Sequence, residues 1–324
     1  MALDRLAEVA APAARVGFGL AAVGRPGYIT LGRDRDLPDD RTVDAMRERA
    51  YALLDAAYAG GVRYLDAARS YGRSEEFLAD WLSSRPDAGD VVVGSKWGYA
   101  YKAGWRVDTD VHEVKDHSLA AYERQRAETA ELLGSRLDLY QIHSVTPDSP
   151  ALTDRALHER LARLAGEGVT VGLTTSGPAQ ADAIRAALGV AVGGEPLFRA
   201  VQATYNLLET SAGPALAEAH GAGLTVIVKE AVANGRLASA GQEPAELAAC
   251  AAESGTGCDA VALAAVLAQP WAGVVLSGAA TTGQLASNLA AASLVLDEEH
   301  LARLAALAEK PAVYWRHRSA LPWQ

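Results

Sequence analysis

Short apolar runs recur along the whole sequence, and most of them are followed by a stretch with apolar residues at helical spacing. There are eight such runs: VGFGL from Val16, VRYLD from Val62, VVVGSK from Val91, LDLYQIH from Leu137, TVGLTT from Thr170, AVQATYN from Ala200, TVIVKE from Thr225 and GVVLSG from Gly273. They are apolar throughout instead of alternating with polar residues, which is typical of parallel strands covered on both faces. Between them lie helix candidates such as VDAMRERAYALLDAAYAGG, SEEFLADWL, SLAAYERQRAETAELLG, LHERLARLAGEG, PAQADAIRAALG, PALAEAHGAG and DAVALAAVLAQ.

Eight β-then-α units in a chain of 324 residues predict an α/β protein with the (β/α)₈ TIM barrel fold. Barrels of this size fold as one domain, and no low-complexity linker divides the chain. We therefore expect a single domain over residues 1–324, with its core at about 16–296 and a C-terminal helix and tail at 297–324. The segment GRPGYITLGRDRDLPDDR, Gly24 to Arg41, is predicted to be an irregular surface loop because it combines Gly, Pro and mixed charges.

One stretch could be mistaken for a membrane helix. Residues 260–296 carry no charge, but Gln269-Pro270 interrupts them and several glycines follow. We predict a helix, a buried strand and a second helix there, and no membrane partner.

Composition excludes several classes of protein. The formal net charge of −10 leaves no basic face for a phosphate backbone, so we expect no nucleic-acid partner. Cys250 and Cys258 are the only cysteines, too few for a disulfide framework or a CxxC metal site, which fits a reducing compartment. Asp4 and Glu8 stand where a signal peptide would need a basic start and an apolar run. The sequence thus predicts a cytoplasmic protein.

Polar residues collect where the apolar runs end. In (β/α)₈ barrels the chemistry lies at the C-terminal ends of the strands, so these side chains are expected to share one rim. They are Asp66, Lys96, His143, Thr174, Thr175, Ser176, Tyr205, Asn206, Lys229, Glu230 and Ser277. Each alone could be a satisfied polar residue at a strand end, but together they predict an active site.

Four residues in this set and its loops form a recognisable group. Asp66 and Tyr71 in GVRYLDAARSYGRSE, Lys96 in VVVGSKWG and His143 in LDLYQIHS resemble the aldo-keto reductase tetrad in type and order. The resemblance implies a (β/α)₈ barrel that reduces an aldehyde or ketone with NAD(P)H, or catalyses the reverse. It also implies that Tyr71 is the general acid, Lys96 its neighbouring cation, Asp66 the partner of Lys96, and His143 the group that orients the carbonyl.

The chemistry accounts for these residue types. Hydride transfer leaves negative charge on the carbonyl oxygen, and a proton must arrive as that charge develops. A free tyrosine, with a pKa of roughly 10, is a weak donor near neutrality. An ammonium about 4 Å away would lower the pKa of Tyr71 by about two to three units, and Asp66 would keep Lys96 charged.

The resemblance also implies cofactor contacts. Thr174, Thr175 and Gln202 occupy the positions that hold the nicotinamide carboxamide, and Gly19 and Ser277 are further cofactor candidates at strand ends. Lys229 stands where the family usually has a stacking aromatic; it either contacts the cofactor or pairs with Glu230. In LSGAATTGQLASNLAAA, the phosphate and adenine contacts would be Gly278, Thr281, Gln284 and Asn288. Gly278 and Gln284 replace basic residues that grip the 2′-phosphate, so we expect NADPH but leave NADH open.

The long loop after Lys96 and the C-terminal tail are candidates for contacts with the substrate. Trp97, Tyr99 and Trp105 could line a substrate pocket, or the loop could be an ordered aromatic loop without a ligand. In the tail YWRHRSALPWQ, Trp315 or Trp323 could contact the substrate, or the tail could pack outside the barrel or against another subunit.

Two further patterns are judged to be coincidental. GFGLAA matches the dinucleotide-binding pattern, but no helix is predicted after it. The histidines of HEVKDH, His112 and His117, are five apart where two ligands on one helical face need four, so no metal is predicted.

The sequence therefore predicts a cytosolic carbonyl reductase acting on a small-molecule carbonyl substrate. The alternatives are an NAD(P)H-binding barrel that serves as a sensor or regulatory subunit, and a metal-dependent barrel aldolase or isomerase. The identity of the substrate, the direction of the reaction and the oligomeric state do not follow from the sequence.

Overall fold

The computed structural model describes residues 12–37, 40–238 and 243–324. The N-terminal segment with Asp4 and Glu8, on which the signal-peptide argument rests, lies outside the described residues, as do residues 38–39 of the predicted surface loop.

The centre of the molecule is a closed barrel of eight parallel strands, in the order β1-β8-β7-β6-β5-β4-β3-β2. The strands are β1 Val16–Gly19, β2 Tyr64–Asp66, β3 Val92–Trp97, β4 Leu139–Val145, β5 Thr170–Thr175, β6 Ala200–Thr204, β7 Thr225–Lys229 and β8 Val274–Ser277. Each overlaps one of the eight apolar runs, and the (β/α)₈ prediction is confirmed. Two short antiparallel pairs, Tyr99–Tyr101 with Glu113–Lys115 and Ala191–Val192 with Glu195–Pro196, lie outside the barrel.

Helices surround the barrel, and each of the seven predicted helical segments overlaps one. The α-helices are α1 Arg33–Asp36, α2 Val43–Ala59, α3 Ser74–Ser83, α4 Leu119–Leu133, α5 Arg155–Gly166, α6 Gln180–Leu188, α7 Gly213–Gly221, α8 Ala245–Glu253, α9 Cys258–Leu267, α10 Thr282–Ala290, α11 Glu298–Ala305 and α12 Pro311–Ser319. Several begin at a side-chain cap: Thr42, Ser118 and Asp154 accept hydrogen bonds from backbone N–H groups of the first turn.

The uncharged stretch folds as α9, β8 and α10, as the sequence predicts. Residues 260–267 of α9 are buried, which explains the lack of charge. Over the described ranges, no single helix is long and apolar enough to cross a membrane, and α8 and α9 pass such a test only as a pair bent by 88°.

The loop after β1 is not the surface loop that was predicted. Gly24 to Gly27 are buried, and so is the side chain of Arg33. Arg33 donates to the backbone carbonyl of Arg25 at 2.9 Å and to that of Pro26, so a charged residue stabilises the folded loop from inside. The chain end joins it, because Tyr28 and Gln324 exchange two backbone hydrogen bonds of 3.0 and 3.1 Å.

Candidate active site

The C-terminal strand ends bring three of the predicted residues together. Asp66 ends β2, Lys96 lies near the end of β3 and His143 lies near the end of β4. The Lys96 ammonium forms an ion pair with Asp66 and donates to the carbonyl of Ala67 at 2.9 Å. Lys96 is 0% exposed and Asp66 is 2% exposed, so the pair is shielded from water.

The Asp66 carboxylate has two further partners. The Tyr64 hydroxyl donates to its Oδ1 at 2.9 Å, and the Gln202 amide donates to the same oxygen at 3.1 Å. The sequence analysis missed Tyr64, although its position two residues before Asp66 places it on the same face of β2. Gln202, predicted as a cofactor contact, thus also positions the Lys96–Asp66 ion pair.

Burial and the charge of Asp66 have opposite effects on the pKa of Lys96. Desolvation lowers the pKa of Lys96 below its ordinary value, and the Asp66 charge raises it. Without the carboxylate the buried ammonium would lose most of its compensation.

Tyr71 lies in the turn after β2, beside His143. Its hydroxyl is 3.5 Å from His143 Nε2, and the two rings meet edge to face with centroids 5.5 Å apart. Lys96 Nζ lies 4.7 Å from the centroid of the Tyr71 ring. The structure therefore brings Tyr71, Lys96 and His143 together at one place on the rim of the barrel.

The predicted lowering of the Tyr71 pKa is wrong for the structure as it stands. Burial raises the pKa of Tyr71 well above its ordinary value, and the Asp66 charge adds to the effect. The physical reason is that Asp66 compensates the charge of Lys96, while loss of water disfavours the phenolate. Tyr71 is consequently held protonated, which is the form that a proton donor requires.

His143 is held in its neutral form. Burial lowers its pKa well below the ordinary value, and the charges of Lys96 and Lys229 lower it further. Ser70 Oγ lies 3.5 Å from His143 Nδ1, on the side of the ring away from Tyr71. A neutral imidazole has one N–H donor, which can point at a carbonyl oxygen.

Two glycines explain how the Tyr71 turn is held. Gly72 has φ +62°, and a Cβ there would lie 2.5 Å from the carbonyl oxygen of Gly24. A Cβ on Gly24 would in turn lie 2.4 Å from the carbonyl oxygen of Tyr71. Arg73 N–H donates to the Gly24 carbonyl at 2.8 Å. The loop after β1 and the Tyr71 turn are thus in backbone contact, which only glycine permits.

A cavity of about 310 Å³ opens beside Tyr71 and His143. Five of the predicted cofactor residues line it: Gly19, Gln202, Lys229, Ser277 and Gly278. Thr174 and Thr175 lie deeper and are fully buried. Thr174 Oγ1 accepts from the backbone N–H of Ser144 at 2.7 Å, whereas Thr175 Oγ1 has no hydrogen-bond partner in the described part of the chain.

The segment from β8 into α10 carries the other cofactor candidates. Thr281 caps α10 by accepting from Gln284 N–H at 3.2 Å, and Gln284 Oε1 accepts from Ala280 N–H at 2.9 Å. Ser277 Oγ donates to Asn288 Oδ1 at 2.7 Å. Thr281, Gln284 and Asn288 therefore shape the start of the helix and do not line the cavity.

Lys229 both faces the cavity and lies near Glu230. Its ammonium donates to Thr204 Oγ1 at 2.7 Å and is 3.9 Å from Glu230, whose closer partner is Arg318 at 2.9 and 3.0 Å. Burial lowers the pKa of Lys229 to about 8, and Arg318 lowers that of Glu230 to about 2 against the effect of burial.

Only one of the three predicted substrate residues lines the cavity. Tyr99 does so, with its ring 5.1 Å from that of His143. Trp97 does not, because it follows Lys96 in β3 and points to the opposite face, where it packs on Tyr122 at 5.1 Å. Trp105 does not either: its indole N–H donates to the carbonyl of Arg41 at 2.8 Å.

The chain end also reaches the cavity. Trp323 lines it and stacks on His112, with centroids 3.9 Å apart. Trp315 is buried in a separate apolar cluster with Leu247 and Tyr314. The cavity is also lined by three charged residues and a tyrosine that are not among the predicted site residues, because they lie outside the barrel strands: Arg25, Glu113, Arg318 and Tyr28.

The two patterns that the sequence analysis set aside have structural explanations. GFGLAA continues as a short 3₁₀ turn, Leu20–Ala22, and not as a helix. The ring nitrogens of His117 lie 2.8 Å from the His143 carbonyl and 2.6 Å from Ser149 Oγ. Among residues 12–37, 40–238 and 243–324, no group of three or more His, Cys, Asp or Glu side chains is arranged to hold a metal ion.

Comparisons with known proteins agree with this geometry. Residues 38–309 match the model of the Aldo/keto reductase family. Aldo-keto reductase str7 of Strobilurus tenacellus is 26% identical over 92% of this chain and 90% of its own length. D-threo-aldose 1-dehydrogenase of a Pseudomonas species is 28% identical over 69% of each chain. The holo form of aldo-keto reductase AKR11C1 from Bacillus halodurans shares the fold, with a TM-score of 0.69 at 22% identity over 91% of this chain and 92% of that chain.

The family match spans most of the barrel and includes the strand ends that carry Asp66, Lys96 and His143. The chain therefore belongs to the aldo/keto reductase family and is an NAD(P)H-dependent oxidoreductase of carbonyl compounds.

Proposed function

We propose that this protein is a carbonyl reductase that uses NADPH and in which Tyr71 protonates the carbonyl oxygen. The observation that carries the proposal is the pairing of the Tyr71 hydroxyl with His143 Nε2, 3.5 Å apart at the wall of a cavity. A carbonyl oxygen between these two groups would accept a hydrogen bond from each. Because both donors are held by the strand ends and turn, little reorganisation is needed as the oxygen becomes negative.

The Lys96–Asp66 pair supports the proton transfer. A cation 4.7 Å from the Tyr71 ring would stabilise a phenolate by about 3 to 4 kcal/mol at an effective dielectric near 20, before compensation by Asp66. Asp66 keeps the ammonium protonated and in place through its contacts with Tyr64 and Gln202. Lys96 thus offsets part of the penalty that burial places on ionising Tyr71.

The residues around the cavity fit a nicotinamide cofactor. The side chains of Gln202 and Lys229 line the cavity, and a Cβ on Gly278 would meet no atom within 4 Å, so polar groups and open space are both present. When bound, the reduced nicotinamide supplies a hydride to the carbonyl carbon. Gly19, Gln202 and Lys229 would hold the nicotinamide end, and residues 277–288 the phosphates and adenine.

Turnover with a panel of carbonyl compounds tests the reaction type. One relative is named a D-threo-aldose 1-dehydrogenase and another an aryl-alcohol dehydrogenase using NADP(+), so the panel should contain aldoses and aryl aldehydes with their alcohols. We expect oxidation of NADPH, followed at the reduced-nicotinamide absorbance band, at a higher kcat/KM than with NADH. Tight binding of NADPH without turnover of any compound would instead support a sensor.

A further inference from the structure

Besides Lys96, a second cation lies against the ring of Tyr71. The guanidinium carbon of Arg25 is 5.1 Å from the ring centroid, and Lys96 Nζ is 4.7 Å from it. Arg25 is only 2% exposed, although it comes from the loop that the sequence suggested to be on the surface. A buried cation beside an aromatic ring interacts with that ring far more strongly than an exposed one.

Several contacts fix Arg25 in this place. Its Nη1 donates to the carbonyl of Ser70, the residue before Tyr71, at 3.0 Å. Its own carbonyl accepts from Arg33 at 2.9 Å. The residue before it, Gly24, is in backbone contact with the Tyr71 turn. The guanidinium therefore belongs to the same rigid unit as the phenol, and it is not a mobile side chain that happens to lie nearby.

The charge of Arg25 has one carboxylate partner among the described residues, Glu113. Glu113 belongs to the antiparallel pair after β3, forms an ion pair with Arg25 Nη1 and lines the same cavity. Arg25 Nε has no hydrogen-bond partner over the same ranges. The Trp323 ring covers the guanidinium at 4.8 Å, which shields the pair from water.

The other charged groups that face Tyr71 are already paired or neutral. Asp66 is paired with Lys96, Glu230 is paired with Arg318, and His143 is neutral. The remaining titratable groups near Tyr71 or on the cavity wall are Lys229, Tyr28, Tyr64 and Tyr99. Arg25 and Glu113 are thus a third pair. Among the described residues it is the one of the three to which neither a barrel strand nor the C-terminal helix contributes.

We propose that Arg25 and Glu113 are positioning residues that set the acidity of Tyr71 in opposite directions, Arg25 favouring the phenolate and Glu113 opposing it. The inference rests on the proposed role of Tyr71 as the acid. Electrostatics agree with the geometry: the charge of Arg25 lowers the pKa of Tyr71 and that of Glu113 raises it, both within the larger effect of burial. Neither residue belongs to the four whose resemblance pointed to the family.

The test compares the pH dependence of alcohol oxidation in Arg25→Gln, Arg25→Lys and Glu113→Gln, with benzyl alcohol or the best alcohol from the panel and saturating oxidised cofactor. A charge at this distance, partly compensated by its partner, is expected to shift the apparent pKa of oxidation by about one unit. We expect an upward shift for Arg25→Gln, a downward shift for Glu113→Gln, and little shift for Arg25→Lys. On the rising limb, Glu113→Gln should then oxidise the alcohol about tenfold faster than the wild type.

The opposite signs separate electrostatics from structural damage, which would slow both variants and move neither curve. Arg185→Gln, in an exposed ion pair with Glu218 between α6 and α7, is the matched control and should leave the curve in place. Shifts of the same sign, or none in either variant, would overturn the proposal.

A second measurement covers variants that do not turn over. In protein with ¹³Cζ-labelled tyrosine, the NMR signal missing from Tyr71→Phe identifies Tyr71, and its midpoint should move in the same two directions. If the wild type shows no turnover or Tyr71→Phe keeps it, the proposed function fails. If the titration midpoint of Tyr71 is the same in the wild type, Arg25→Gln and Glu113→Gln, the role proposed for Arg25 and Glu113 fails, whatever the reaction.

Discussion

Replacement of Asp66 by Asn is the most informative single change for the electrostatic account. Asp66 accepts three donors at its two oxygens, from Lys96, Tyr64 and Gln202. The asparagine side chain would have nearly the same shape but no charge, and only one of its two terminal atoms can accept a hydrogen bond. The variant would leave the Lys96 ammonium, which is 0% exposed, beside neutral acceptors such as the carbonyl of Ala67 and without its carboxylate partner.

Two estimates bound the loss of stability. Removing one partner of a buried ion pair typically destabilises a protein by about 3 to 5 kcal/mol. Lys96 can escape by losing its proton, which costs about 4 to 5 kcal/mol at pH 7 and about 2 kcal/mol at pH 9, from an ordinary pKa of roughly 10.4. We therefore expect Asp66→Asn to lower the free energy of unfolding by about 3 to 5 kcal/mol at pH 7 and by about 2 kcal/mol at pH 9.

The sign of the pH dependence follows from proton linkage. In the variant the folded-state pKa of Lys96 would be depressed further below its unfolded-state pKa. At pH values between these two pKa values, the unfolded chain would bind more protons than the folded protein. Stability relative to the wild type must then rise with pH across that interval. This trend is the reverse of what a generally weakened, alkali-sensitive protein would show.

Urea unfolding of the two proteins at pH 7 and pH 9 measures both numbers. Glu218→Gln is the matched control, because it removes one charge from the ion pair with Arg185, where both side chains are about half exposed. That change should lower the free energy of unfolding far less than Asp66→Asn does at pH 7, because both charges of the pair remain in contact with water. An Asp66→Asn loss no larger than the control, or one that does not shrink at pH 9, would refute the reasoning.

Three further outcomes are expected. Gly72→Ala should lower the free energy of unfolding by about 2 kcal/mol or more and reduce kcat, because the new Cβ would lie 2.5 Å from a carbonyl oxygen. Gly104→Ala, at φ +57° but in open space, should lower it by only about 1 kcal/mol. Equal losses in urea unfolding would contradict the role of this close contact. Trp323→Ala should raise the KM for the carbonyl compound about fivefold and leave the KM for NADPH nearly unchanged; the reverse pattern would place the tail on the cofactor. The pKa of Glu230 is about 2 in the folded protein, so its pairing with Arg318 adds stability above pH 4.5 that is lost as the pH falls towards 2. Glu230→Gln should remove about 3 kcal/mol of this acid dependence of the free energy of unfolding. An unchanged acid dependence would argue against the pairing.

The strand ends, and the turn after β2 that carries Tyr71, lie in the fold where the sequence places them. The eight apolar runs predict the barrel because buried parallel strands leave a local signature, and a barrel brings all its C-terminal strand ends to one rim. Asp66, Lys96 and His143 follow from position alone once the strands are known.

The loops could not be predicted in the same way. Arg25 and Arg33 belong to a segment whose composition is typical of a surface loop, yet both side chains are buried. Arg33 donates hydrogen bonds to the carbonyls of residues 25 and 26 and so holds the folded loop together. That arrangement depends on contacts between segments far apart in sequence, such as Tyr28 with Gln324, which have no local signature.

Two errors have simpler causes. Trp97 was a candidate substrate contact in the aromatic segment after Lys96, but it belongs to strand β3. Adjacent residues in a strand point to opposite faces, so the register that places Lys96 inside the barrel puts Trp97 outside. The sequence reasoning gave Tyr71 too low a pKa because burial, the larger effect, disfavours the phenolate. The Asp66 carboxylate, which pairs with Lys96, raises the pKa of Tyr71 further.

The central claim is that the Tyr71 hydroxyl delivers the proton to the carbonyl oxygen. The most direct measurement is kcat for carbonyl reduction by Tyr71→Phe, together with the Kd for NADPH from fluorescence titration. Tyr58→Phe, which removes a hydroxyl bonded to the carbonyl of Asp87, is the matched control. The account predicts a fall in kcat of about 10² to 10⁴-fold for Tyr71→Phe, with an unchanged Kd and a control like the wild type. Wild-type turnover in Tyr71→Phe, with NADPH bound as tightly as before, would contradict it.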